Sequence, residues 1–298
     1  MNPHSLLLIL LVGASLSGMQ LCAADLNVPT AAPVEPTADK RAIVTTPEYA
    51  GTEVYHTLYL PPDWTSDWQA QNKSWPVIVE YTGNKAPSLG STGLVEDAAL
   101  GFGITGGRFI WIVLPYVSSD HQRNELTWWG DIEATVAYAK TNVPRICEMY
   151  GGDPQSVLLS GFSRGAIAVN FIGLHDDEIA KLWCGFVTHD HYDGVKEWKN
   201  TTWGSPLDRY REAAASRLRR LQSKPVLICQ NQSTVAIQSY LQPYRSLAAF
   251  TILTIQTEEI LGAYPNDFAI HAHNDRWLLR DSPARTQVWQ WVDRVISR

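Results

Sequence analysis

Cysteine and charge are both scarce in this chain of 298 residues. It has four cysteines, and only three of them, Cys147, Cys184 and Cys229, lie beyond the N-terminal segment. An odd number at wide spacing excludes a disulfide framework and a zinc pattern. Cys184 and Cys229 adjoin apolar runs, where a thiol acts as a small hydrophobe. Charged residues make up 18% of the chain, against about 25% in an ordinary globular protein. The net charge is −6. The sole basic group, Arg217, Arg219 and Arg220, falls on one helical stretch, which argues against a nucleic-acid partner. No internal repeat and no second domain are visible. The 45% hydrophobic content excludes a disordered chain and allows a sizeable core.

Both ends of the domain can be read from composition. Residues 5–24 open with the apolar block Leu6–Val12 and close in small residues. That pattern reads as a secretory signal peptide with cleavage after Ala24, although Lys and Arg are missing ahead of it. The expected destination is secreted or periplasmic, with no membrane span in the mature form. An uncleaved anchor is the alternative. A lipid anchor on Cys22 is disfavoured because Leu21 stands where a small residue belongs. Residues 25–41 are rich in Pro, Ala and Thr and are expected to be a linker with no core of its own. Three N-x-S/T triplets begin at Asn72, Asn200 and Asn231.

From residue 42 onward, short apolar runs alternate with helical periodicity. The runs 53–60, 76–81, 109–114, 184–188, 225–229 and 250–255 read as strands, most of them buried on both faces. Ile132, Val136, Ala139 and Val143 mark a helix that Pro144 is expected to restart. Residues 208–221 are helical, and Val288, Trp291, Val292, Val295 and Ile296 mark a terminal helix. Strand–helix alternation predicts one α/β domain over 42–298, a mostly parallel sheet with helices on both faces.

The chemistry centres on Gly161-Phe162-Ser163-Arg164-Gly165, a G-x-S-x-G pattern. A turn (GGDP), an apolar strand (VLLS) and an apolar helix bracket the serine, the setting of a nucleophile elbow. The glycines are needed because so tight a turn leaves no room for Cβ atoms on either side. The helix that follows aims its free N–H groups at the reacting centre, which makes the Arg164 N–H an oxyanion-hole candidate.

From about residue 53 to the end, the chain resembles an α/β-hydrolase. The run GGDPQSVLLSGFSRGA is similar to that of secreted esterases related to polyhydroxybutyrate depolymerases and feruloyl esterases. The resemblance implies a second oxyanion donor after the third strand, where Gly83 and Asn84 stand in Tyr81-Thr82-Gly83-Asn84. It also implies a base after the last strand, where His271 and His273 occur in AIHAHNDRWLL. The family pattern of a histidine, a polar residue and an aromatic opening the last helix favours His273.

The acid is harder to place. The family usually carries it after the strand at 225–229, but no Asp or Glu lies between Glu212 and Glu258. Asp190 and Asp193, in Thr188-His189-Asp190-His191-Tyr192-Asp193-Gly194, are the alternatives. Asp193 is preferred because Gly194 could let the chain bend back toward the histidine. Glu258 is a third choice, and Asn231 could orient an imidazole without stabilising its charge.

The same segment admits a metal reading, since His189, His191 and Asp193 resemble the metallo-β-lactamase signature. Gly194 stands where its last histidine belongs. Twelve tryptophans are many for this length. Trp128 and Trp129, with Trp198 and Trp203, follow predicted strand ends, where they could stack on a sugar or phenolic ring. Trp111, Trp183, Trp289 and Trp291 read as core.

The expectation is an exported serine esterase acting on a small-molecule or glycan ester, without a cofactor. The alternatives are a binding protein that keeps the fold but lacks turnover, motivated by the acid-free stretch 213–257, and a metal-dependent hydrolase.

Overall fold

A computed structural model of the chain describes residues 24–87, 91–196, 207–262 and 272–297. The described residues form a nine-stranded sheet. Its strands are β1 (Ala31–Ala32), β2 (Arg41–Val44), β3 (His56–Tyr59), β4 (Trp75–Tyr81), β5 (Ile110–Leu114), β6 (Gly152–Phe162), β7 (Gly185–His189), β8 (Pro225–Asn231) and β9 (Ala249–Ile255). The spatial order is β1-β2-β3-β5-β4-β6-β7-β8-β9. β3 runs antiparallel to β2 and β5, and β5 to β9 are mutually parallel with β4 among them. Val79 of β4 lies opposite Ile112 on one side and Leu159 on the other. All three side chains are fully buried, the reason these strands read as unbroken apolar runs.

Each face of the sheet has its own core. Ile78, Trp111, Leu158, Val187 and Leu227 point to the face covered by α1 (Leu100–Thr105) and α7 (Pro283–Ile296). Val77, Val79, Ile112, Leu159 and Phe186 point to the other. That face is covered by α2 (Ile132–Tyr150), α3 (Arg164–Phe171), α4 (Leu207–Leu218) and α5 (Val235–Leu241). A short α6 (Thr257–Leu261) follows β9. α2 begins at Asp131, whose side chain accepts the Ala134 N–H, and ends at Gly151 with φ 77°. The restart expected at Pro144 does not occur. Pro144 sits inside a continuous helix, where the buried stripe Val136, Ala139, Val143 and Ile146 offsets the one N–H that proline removes.

Residues 25–41 differ from the free linker expected of them. Asp25 accepts hydrogen bonds from Arg280 and the Asp281 N–H, and the Leu26 N–H donates to Leu279 O. Leu26 and Val28 pack against the α1/α7 core. The segment is a strap because it carries these two apolar anchors and a carboxylate matched to Arg280. Among the described residues no helix is long and apolar enough to cross a membrane. The expected signal peptide lies outside them except for Ala24. Cys147 and Cys229 are buried, Cys184 is half-buried, and all three are free thiols.

Candidate active site

Parallel sheets bind ligands beyond the carboxyl ends of their strands, where strand order reverses. Here that point is β4, whose neighbours β5 and β6 follow it in sequence on opposite sides. Ser163 caps β6 there, with φ 57° and ψ −116°. This left-handed backbone is strained for a residue with a Cβ. Both glycines of the elbow are sterically required. A Cβ on Gly161 would lie 2.1 Å from Gly165 O, and one on Gly165 would lie 1.9 Å from Tyr81 O.

Three side chains from distant parts of the sequence converge at this crest. Ser163 Oγ lies 2.8 Å from His273 Nε2. His273 Nδ1 lies 2.7 Å from Asp190 Oδ2. The other carboxylate oxygen of Asp190 accepts the Asn231 N–H at 2.8 Å and the Gln230 side-chain amide at 2.9 Å. A carboxylate, which 213–257 lacks, thus reaches His273 from the end of β7, and the amide-rich tip of β8 holds it in place. Burial alone would raise the Asp190 pKa. Charge at His189, the hydrogen bond and charge of His273, and the Asn231 N–H outweigh it and hold the carboxyl below the usual carboxylate range.

The preference for Asp193 is corrected. Gly194 does turn left-handed, with φ +83°, but the turn carries Asp193 under α4. There it is fully buried and meets Arg217 Nη2 at 2.5 Å. Glu258 is exposed on α6, and Asn231 acts through Asp190. His271 lies outside the described residues.

The metal reading is corrected too. His189 Nε2 lies 2.8 Å from Asn274 O, Asp193 is paired with Arg217, and the His191 ring stacks on His273 with centroids 4.3 Å apart. The three groups face different neighbours. Among the described residues no cluster of three or more His, Cys, Asp or Glu could hold a metal ion. Burial, with the charges of His273 and Lys196, pulls the His191 pKa down to about 3, so this ring is neutral at ordinary pH. Phe162 packs on His273 as well, at a centroid distance of 4.5 Å.

A cleft of about 340 Å³ opens beside the serine, lined in part by Gly83, Asn84, Phe162, Ser163, His273 and Asn274. Gly83 approaches closely: a Cβ there would sit 3.5 Å from Ser163 Cβ. Glu80 also lines the cleft. Its Oε2 accepts the Gly101 N–H at 2.8 Å and Trp111 Nε1–H at 2.9 Å. Burial and the nearby Asp275 push its pKa up to about 7.

Trp128 and Trp129 are not on the cleft wall, which corrects their expected stacking role. Trp129 is 4% exposed and packs on Phe171 at 4.7 Å. Trp128 packs against the same core. Its backbone instead serves the site: its N–H donates to Asn84 Oδ1 and its carbonyl accepts from Arg164. Trp198 and Trp203 lie outside the described residues. Sequence reasoning missed the Arg164 side chain altogether, and the signal was a lone charge at the head of an apolar helix (RGAIAVNF).

The sheet, its helices and the serine elbow define an α/β-hydrolase fold. A scan of protein-family models and a search of curated proteins find no match. Solved structures do match in fold. The esterase Est22 aligns over 87% of this chain and 79% of its own at 12% identity, with a TM-score of 0.55. The carboxylesterase Cest-2923 from Lactobacillus plantarum WCFS1 aligns over 86% of this chain and 96% of its own at 14% identity, with a TM-score of 0.52.

Proposed function

We propose that the protein is a serine hydrolase of small carboxylic esters. The observation that carries this reading is the unbroken relay Ser163–His273–Asp190, with separations of 2.8 Å and 2.7 Å. A serine hydroxyl is a weak nucleophile until a base takes its proton. His273 Nε2 receives that proton as Ser163 Oγ attacks the ester carbonyl. Asp190 accepts the Nδ1–H, which fixes the tautomer and stabilises the imidazolium. Backbone N–H groups of Arg164, Gly83 and Asn84 hold the oxyanion. His273 then protonates the departing alcohol, and water hydrolyses the acyl-enzyme by the same route in reverse. The fold neighbours named above, an esterase and a carboxylesterase, are in keeping with this chemistry.

The substrate suggested by a cleft of about 340 Å³ is a small ester, at the low end of ligand pockets. Hydrolysis of p-nitrophenyl acetate and butyrate, with fluorophosphonate labelling, tests the proposal. Wild type is expected to turn over and to label, and Ser163→Ala to do neither. Turnover that survives the substitution would sink the serine mechanism.

A further inference from the structure

The residue after the nucleophile is an arginine that is 1% exposed. Its guanidinium has little reason to be there for charge alone, since among the described residues no carboxylate bonds it. Instead it reaches the loop that follows β4. Nη2 donates to Gly83 O at 2.9 Å and to Thr82 Oγ1 at 3.2 Å, and Nε lies 3.4 Å from Thr82 O. Nη1 donates to Trp128 O at 2.7 Å. Tyr116 lies against the guanidinium, 3.9 Å from its ring centroid, and its hydroxyl donates to Thr82 O at 3.1 Å.

Two successive carbonyls, those of Thr82 and Gly83, are therefore turned toward the Arg164 guanidinium. No described peptide bond is cis. In a trans peptide the carbonyl and the following N–H point in opposite directions. The N–H groups of Gly83 and Asn84 must then point away from the arginine. Gly83, Asn84 and Ser163 line the cleft and Arg164 does not, so away from the arginine is toward the reacting centre. Among the described residues neither N–H meets a backbone acceptor.

We infer that the Arg164 side chain is a positioning residue that sets the Gly83 and Asn84 peptides in the orientation an oxyanion hole requires. This rests on the ester-hydrolase reading and adds a separate structural claim to it. One residue then serves the site twice: its backbone N–H lies at the helix start, and its side chain orients the opposing loop. Burial lowers the guanidinium pKa only to about 10, so it stays charged at neutral pH. A flexible ammonium cannot replace the fork, because one point donor cannot span Gly83 O and Trp128 O together.

The test uses Arg164→Met, Arg164→Lys and the milder Tyr116→Phe. Loss of an oriented oxyanion donor costs about 10²–10³-fold in kcat. Arg164→Met is expected to lose about 100-fold in kcat with KM within about threefold, and boronic-acid affinity should fall in parallel because the adduct is tetrahedral. Arg164→Lys should resemble Arg164→Met more than wild type. Tyr116→Phe, which leaves the arginine in place, should lose a few-fold in the same direction. Unchanged kcat and boronate affinity in a folded arginine variant would overturn the inference. So would a rise in KM alone. The crystal structure of either arginine variant decides the matter independently of turnover: a rotated Gly83–Asn84 peptide supports the inference, and an unmoved one defeats it. A wild type without esterase activity would instead defeat the ester-hydrolase reading and leave the peptide orientation as the deciding result.

Discussion

Two aspartates three residues apart have opposite duties. Asp190 faces His273 and the tip of β8, while Asp193 neutralises Arg217 beneath α4. Their substitutions should therefore separate cleanly. Asp190→Asn is expected to keep its fold and lose about 10⁴-fold in kcat, because an amide leaves the imidazole in the wrong tautomer. Asp193→Ala strands a buried guanidinium and should cost about 3–5 kcal/mol of stability, seen as a lower urea midpoint with near-normal turnover in the folded fraction. The reverse pattern would exchange their roles. The sequence could not make this distinction. Both residues follow the same strand, and their directions depend on successive left-handed residues, Asp190 at φ 56° and His191 at φ 55°. Those conformations are rare away from glycine, so no turn rule anticipates them. Ser163 stood out as a glycine-flanked bend in the alternation, while His273 was preferred over His271 through the resemblance to esterases, and the two side chains meet at 2.8 Å.

At the level of elements, the tightest constraint is where α3 leaves β6. Alanine at Gly161 would press its Cβ to 2.1 Å from a backbone oxygen, with no flexible side chain to yield. Gly161→Ala is expected to destabilise by about 3 kcal/mol or more, through overpacking against backbone. At Gly51, where φ is +83° and nothing lies within 4 Å, alanine should cost only about 1–2 kcal/mol from left-handed strain. Urea unfolding of the two variants checks the order, and equal midpoints would refute it. The parallel strands were readable because burial on both faces writes itself as continuous Val, Ile and Leu. Pro144 misled because a local rule for proline competes with a stripe of buried contacts along 19 residues, and the longer-range term wins. Trp128 and Trp129 misled because position at a strand end does not say which way a side chain packs.

For the whole molecule, buried titratable groups make stability depend on pH in opposing ways. Glu80 moves from an ordinary 4.5 to about 7 on folding. Between those values the native state holds the proton more tightly than the unfolded chain, so this group's contribution falls as pH rises through the window. His56 falls from 6.5 to about 3, chiefly by burial. Its contribution is present above 6.5 and is lost as pH drops toward 3. Glu80→Gln keeps an acceptor for Gly101 and Trp111 while removing the ionisation. Its melting temperature is expected to gain on wild type from pH 5 to about pH 7 and to level off above that, and a constant difference between the two proteins across pH 5 to 7 would contradict the assignment.

The strap formed by Asp25, Leu26 and Val28 has a consequence for handling the protein. It grips Leu279, Arg280 and Asp281, a few residues beyond His273. This segment therefore acts as a guy-line on the stretch that follows His273. Deleting Asp25, Leu26 and Val28, or displacing them with a fused tag, would loosen that anchorage, so purification handles belong at the other terminus.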